Sequence, residues 1–154
     1  MNTPYDKGNP FAMIIRGEIP SYQVYSDGKV LAFLDINPIN PGHILVVPRV
    51  PVSNASELDD EMAGYMFQIG LRLSRALRKT DIPCQGVNFF LSDGVSAGQE
   101  VFHVHLHVVP RTEGDGFGLR FGPNNRKSLP PFEMAALAEK IRSCLPENEE
   151  AQQG

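Results

Sequence analysis

The segment that most constrains this chain is Val101-Phe102-His103-Val104-His105-Leu106-His107-Val108-Val109-Pro110-Arg111, which holds three of the four histidines at two-residue spacing. Side chains of a β-strand alternate between its two faces, so this spacing predicts a strand over 101–109 with His103, His105 and His107 on one face. Val104, Leu106 and Val108 then turn to the other face and into a core. Imidazole titrates near neutral pH and serves as nucleophile, base, acid, hydrogen-bond donor or metal ligand. A solvated face that merely happens to be rich in histidine is the blandest reading, and three histidines within five positions argue against it. A zinc site is the sharper rival, because His-x-His on a strand can aim two imidazoles at one ion.

The stretch before the histidines, Ser92-Asp93-Gly94-Val95-Ser96-Ala97-Gly98-Gln99-Glu100, is a polar turn with two glycines. Glycine lets backbone N–H groups approach a ligand closely and converge on an anion. An anion cradle beside a nucleophilic imidazole points to phosphorus chemistry. The chain's balance of 14 Lys and Arg against 18 Asp and Glu, with a net charge of -4, excludes a nucleic-acid binder working through a basic footprint. Any phosphate must therefore be held by a local site.

At 154 residues and 42% hydrophobic content the chain is long enough for one domain with a real core, and a single domain over 1–154 is expected. No stretch approaches the roughly 18 apolar residues of a membrane span. The first residues lack a signal-type apolar region, so a cytoplasmic protein without membrane partners is expected. Cys84 and Cys144 form no C-x-x-C pair and are expected to be reduced packing residues.

Punctuation and periodicity outline the elements. Asn9 as N-cap with Pro10 at the first helical position predicts a short helix through Arg16, closed by Gly17. Strands are predicted at 23–25, 30–34, 43–47 and 86–91, each bounded by turn-forming residues. Met62, Met66, Ile69, Leu73, Ala76 and Leu77 recur at helical spacing between Asp59 and Lys79, with acids early and bases late, so this is the long helix. A further amphipathic helix is predicted over 131–145 on Phe132, Ala135, Leu137, Ala138 and Ile141, and a disordered polar tail over 147–154. The glycine-rich Gly114-Asp115-Gly116-Phe117-Gly118 lacks the following helix of a nucleotide loop and reads as a turn. Hairpin-like strands with one long helix make an α+β fold with an antiparallel sheet.

The run 97–111 resembles the signature of the histidine triad (HIT) family, His-φ-His-φ-His-φ-φ with φ apolar. Residues 9–20 resemble that family's amino-terminal segment, and 32–49 resemble its nucleoside-binding strand and turn, so the likeness covers about 9–111. It implies a HIT-like fold with an antiparallel sheet of about five strands, one long helix and a short amino-terminal helix, here with a carboxyl-terminal extension over 112–154 that could shape the pocket. It also implies a nucleotide hydrolase or transferase attacking the α-phosphorus through a nucleotidyl-histidine. The turn residues lie closer to the dinucleoside polyphosphate hydrolase branch. Adenosine phosphoramidase activity, or nucleotide binding with negligible turnover, are the alternatives.

By that resemblance His105 is the nucleophile, His107 donates to the phosphate, and His103 and His43 orient the site. Asp35 anchors the ribose of a purine nucleotide; Phe11, Ile14, Phe33 and Ile36 form the base slot; Ser92, Gly98 and Gln99 meet the phosphates and leaving group. Zinc-binding members have Cys-x-x-Cys where this chain has Asn9 and Ala12, so no structural zinc and no required cofactor are expected. A divalent cation accompanying a polyphosphate is allowed, and zinc held by His43, His103 and His107 is the rival. Glu100 stands where phosphoramidases of the family carry a serine. The resemblance finally implies a homodimer formed through the long helix and an edge strand, with Met66 or Ile69 near the interface.

Overall fold

The computed structural model describes residues 3–146 and divides into two compact units, Met1–Phe117 and Gly118–Gly154. The first unit contains α1 (Pro10–Ile15), β1 (Gln23–Ser26), β2 (Val30–Leu34), β3 (Ile44–Pro48), α2 (Asp60–Leu77), β4 (Gly86–Phe90) and β5 (Leu106–Arg111), with 3₁₀ turns at Ala55–Glu57 and Val95–Ala97. The strands make one antiparallel sheet in the order β1-β2-β3-β5-β4. This is the expected α+β architecture.

Central position explains the composition of β2 and β3. Val30, Ala32, Ile44 and Val46 point to one face, where they pack with Met66, Ile69, Leu73 and Leu77 of α2 and with Val104, Leu106 and Val108. Leu31, Phe33, Leu45 and Val47 point to the other face and pack with Phe11 of α1. Both faces are thus covered, which requires near-continuous apolar strands instead of alternation. The helices begin where capping chemistry places them: the Asn9 side chain accepts from the N–H of Ala12, and that of Asp59 from the N–H of Met62. The β1–β2 hairpin is tied down by Asp27, whose carboxylate accepts from the N–H groups of Lys29 and Val30 at 2.7 and 2.8 Å. The hydroxyls of Tyr25 and of Tyr65 on α2 also donate to Asp27, clipping the hairpin to the long helix.

Four expectations are corrected. The strand begins at Leu106, not Val101, so His103 and His105 precede it. The reason is local: the N–H of Val104 donates to the carbonyl of Val52, and the carbonyl of His103 is taken by the His105 ring, so neither group enters a sheet ladder. Met66 and Ile69 are buried in the protein's own core beneath α2 and cannot reach a partner; full burial of each stabilises by about 1.5–3 kcal/mol. Cys144 is exposed and packs no core, whereas Cys84 is half-buried against it. The last helix forms where expected, as α3 (Pro131–Ser143), but the apolar face read from Phe132, Ala135, Leu137, Ala138 and Ile141 is not buried. The tail at 147–154 lies outside the described residues. Among the described residues no helix is long and apolar enough to cross a membrane.

Candidate active site

Antiparallel register brings the carboxyl half of the histidine run beside β3, with His107 opposite Leu45. Leu45 faces α1, and so the His107 ring comes to that side of the sheet. There, a cavity of about 670 Å³ is lined by His43, His105 and His107 together with Asp35, Phe11, Ile14, Phe33 and Ile36. Gly98 and Glu100 line it as well. Ile36, 79% exposed, stands at its rim.

Three sequence candidates lie elsewhere: His103, fully buried behind the cavity wall, Gln99 and Ser92. Gln99 is buried, and its side chain braces the loop: the amide nitrogen donates to the carbonyls of Ser53 and Val101 at 2.7 and 3.1 Å, while its oxygen accepts from the N–H of Gly94 at 2.8 Å. A side-chain amide so fully engaged has nothing left for a ligand, so Gln99 shapes the turn that carries Gly98. Ser92 is half-buried just beyond β4 and is not part of the cavity wall.

Backbone partners determine which ring nitrogen of His43, His103 and His105 carries the proton, and His43 then determines it for His107. A carbonyl can only accept, so His105 Nδ1, 2.7 Å from the carbonyl of His103, is the protonated nitrogen and Nε2 keeps its lone pair. His103 Nε2 likewise donates to the carbonyl of Pro48 at 2.8 Å, and its Nδ1 accepts from the Tyr5 hydroxyl at 2.7 Å. His103 is completely buried, and both its nitrogens are spent. His43 is fixed in the opposite sense. The N–H of Ile39 points at its Nδ1 from 3.1 Å, so that nitrogen accepts and Nε2 carries the proton. Nε2 of His43 then donates to His107 Nδ1 at 2.9 Å, which leaves His107 with its proton on Nε2. The 3.7 Å separation between His43 Nδ1 and an Asp35 oxygen therefore holds no proton. Asp35 is fixed instead by the N–H of Asn37, which donates to its other oxygen at 2.8 Å.

Burial reinforces this neutral arrangement, because an interior of low dielectric disfavours the charged imidazolium. His43, His103 and His105 are each pushed below the ordinary histidine range, chiefly by desolvation. For His105 the carbonyl of His103 and the charge of Asp35 pull partly back toward the cation. His107 falls to about 3 through burial and the neighbouring rings of His105 and His43.

Sequence reading missed the partners that hold these rings. Phe90 stacks on His107 with centroids 4.2 Å apart and planes 13° from parallel, and Phe11 meets His105 edge-on at 5.0 Å. Tyr5 reaches His103 from 98 residues away. Phe117, assigned above to a turn, lines the cavity. Only the last left a local signal: Arg111 and Asp115 sit four residues apart and form an ion pair at 2.6 Å that organises this turn.

The HIT domain as a family is matched over residues 16–114. The chain belongs to the HIT family. This HIT protein is similar to solved structures of a HIT family member from Bacillus subtilis, 37% identical with a TM-score of 0.82 over 92% of this chain and 99% of that one. It is similar also to a histidine triad nucleotide-binding protein from Candida albicans, 27% identical with a TM-score of 0.77 over 88% and 96% of the two chains. A zinc-bound histidine triad protein from Mycobacterium smegmatis is 34% identical, with a TM-score of 0.69 over 88% and 97%.

A tetrahedral structural zinc does not fit the donors found here. Asn9 spends its side chain capping α1, Ala12 offers a methyl group, and His103 has no free nitrogen. Among the described residues Asp35, His43 and His107 do present donor atoms within 4.8 Å of one another. An ion seated between the two rings would have to replace the hydrogen bond between His43 and His107.

Proposed function

We propose that this HIT protein hydrolyses or transfers the nucleotidyl group of a purine nucleotide derivative, with His105 as the nucleophile. One observation carries the reading: the carbonyl of His103 holds His105 Nδ1–H at 2.7 Å, so the Nε2 lone pair is the one available to a substrate in the cavity. In the first step a bond forms between Nε2 and the α-phosphorus. The bond to the leaving group breaks, and its electron pair departs with that group. The ring becomes an imidazolium whose Nδ1–H donates to the His103 carbonyl and whose charge Asp35 favours. Water then attacks phosphorus, its hydroxyl staying there and its proton going to solvent, while the electron pair of the N–P bond returns to Nε2. His107 Nε2–H donates to a phosphate oxygen as charge develops, and His43 acts through His107 by keeping its Nδ1 an acceptor. Asp35 accepts from the ribose hydroxyls, with the base between Phe11, Ile14, Phe33 and Ile36.

The substrate class we favour is a dinucleoside polyphosphate. No Lys or Arg is among the residues lining the cavity, whereas Asp35 and Glu100 are, so the polyphosphate enters with a divalent cation that neutralises it. The same absence of cations favours adenosine phosphoramidate as the second reading, because an amine that takes a proton from water as the P–N bond breaks leaves without the negative charge that Glu100 would repel. A panel comparing diadenosine tetraphosphate, with and without magnesium, against adenosine phosphoramidate separates the two. His105→Asn should abolish turnover of the preferred substrate and retain its binding. Turnover near the wild-type rate in that variant refutes the assignment, and tight nucleotide binding without turnover by the wild type would make the protein a nucleotide sensor.

We also propose a homodimer acting in the cytoplasm. β4 is an edge strand, and Phe67 on α2 is 45% exposed beside Phe89, so both invite a second chain. Light scattering at micromolar concentration should report twice the chain mass, falling toward one chain in Phe67→Glu.

A further inference from the structure

The aromatic rings of the site form a continuous series with the nucleophile in its interior. Phe33 meets Phe11 at 5.4 Å, Phe11 meets His105 at 5.0 Å, and His105 meets His107 at 4.9 Å. His107 stacks on Phe90 at 4.2 Å, and Phe90 lies near-parallel to Phe117 at 6.4 Å. The two ends, Phe33 and Phe117, both line the cavity. One end belongs to the base slot of the reading above; the other follows His107 and Phe90 in the series, with His105 between the two ends.

Phe117 is held there by the clasp that organises its turn. Arg111 pairs with both oxygens of Asp115 at 2.6 and 2.7 Å. Asp115 accepts from the N–H of Phe117 at 3.1 Å, Arg111 donates to the carbonyl of Phe117, and the guanidinium lies 4.8 Å from the centre of its ring. Asn40 adds a hydrogen bond to Asp115 at 2.8 Å. Yet the ring so fixed remains 39% exposed. An apolar ring held in place by its own backbone and left open beside a reactive cavity is a platform, since aromatic faces stack flat groups without hydrogen-bond readout.

We infer that Phe117 is a specificity-determining residue that stacks an aromatic group on the leaving side of the substrate, the second nucleobase of a dinucleoside polyphosphate. This rests on the proposed role of His105 and extends it to the half of the substrate that departs. Binding energy on that half favours a dinucleoside over a nucleotide derivative whose leaving group is not flat.

The test uses the full chain and the ratio of kcat/KM for diadenosine tetraphosphate to that for adenosine phosphoramidate. Phe117→Ala should lower the ratio about tenfold, within the range expected for losing one base–aromatic stack, and Phe117→Tyr should restore it. A ratio within twofold of wild type in Phe117→Ala overturns the inference while leaving His105 its role. No turnover of diadenosine tetraphosphate by a wild type that still turns over adenosine phosphoramidate overturns the inference alone, and no turnover of either substrate overturns both. An independent readout follows from the absence of tryptophan in the chain: Phe117→Trp places a lone fluorophore on the platform. Its emission should be quenched by a non-hydrolysable diadenosine tetraphosphate and far less by AMP. Equal quenching by the two would show that the platform reads the first nucleoside, and would overturn the inference.

Discussion

Acid should destabilise this protein through its histidines before its carboxylates are half protonated. In the unfolded chain His107 titrates near the ordinary histidine value of about 6.5, whereas in the folded protein burial and two neighbouring rings hold it down to about 3. A group whose folded pKa lies below its unfolded one gives up stability as pH falls from the unfolded value toward the folded one, because the unfolded state alone takes up the proton. Between pH 7 and pH 5 that difference amounts to about 2 kcal/mol from His107, at about 1.4 kcal/mol per unit of pH. His43, His103 and His105 shift in the same direction, so the total loss is larger. Urea unfolding at half-unit pH intervals gives the stability curve, and its slope counts the protons taken up. His107→Asn removes one titrating ring. Its loss between pH 7 and pH 5 should be smaller than that of the wild type by about 2 kcal/mol, whatever the variant's stability at pH 7. Equal losses in the two proteins would mean that His107 takes up its proton in the folded state, and would refute the neutral His43–His107 pair.

Gly42→Ala tests the turn that delivers His43. Gly42 has φ of +91°, and an added Cβ would lie 3.1 Å from Ile82 and 3.2 Å from Leu77, so strain and crowding should together cost about 2–4 kcal/mol in urea unfolding. Asp27→Asn should loosen the β1–β2 hairpin from α2, seen as faster amide exchange at Lys29 and Val30, whose N–H groups donate to that carboxylate. Exhaustive treatment with a chelator should leave the melting temperature unchanged, because the donors at Asn9, Ala12 and His103 do not make a zinc site; a fall of several degrees, restored by zinc, would show otherwise. Magnesium should raise turnover of diadenosine tetraphosphate and leave that of adenosine phosphoramidate unaffected, since only the first brings several charges to a cavity lined by Asp35 and Glu100.

What could be read from the sequence was whatever is encoded locally. Asn9-Pro10 marks a helix start because capping acts over three residues, and that cap forms as expected; Asp59 caps α2 by the same chemistry. The apolar stripe of α2 likewise includes Met66, Ile69, Leu73 and Leu77, which are buried, although Ala76 is exposed, and periodicity cannot say whether Met66 and Ile69 meet this chain's sheet or a second chain. Alternation across 101–109 correctly sends Val104, Leu106 and Val108 to the core. It fails for the backbone before Leu106, where ring and carbonyl partners displace the ladder. Residues of the site that come from afar, such as Tyr5 and Phe90, carry no mark in the sequence, because a ring contact depends on the chain path between its partners.

The path of the main chain itself sets the chemistry of the four imidazoles. The N–H of Ile39 and the carbonyls of Pro48 and His103 each choose a tautomer, and the fourth ring follows from its neighbour. None of these three groups belongs to a side chain, so no point substitution at Ile39 or Pro48 deletes its hydrogen-bonding atom, save proline at position 39. A site wired in this way tolerates drift in the residues around it and is vulnerable to changes in loop length. One residue inserted between Ile39 and His43, or between Pro48 and Val52, would re-address a proton without touching a histidine. Engineering of this scaffold therefore has wide freedom in composition and little in spacing.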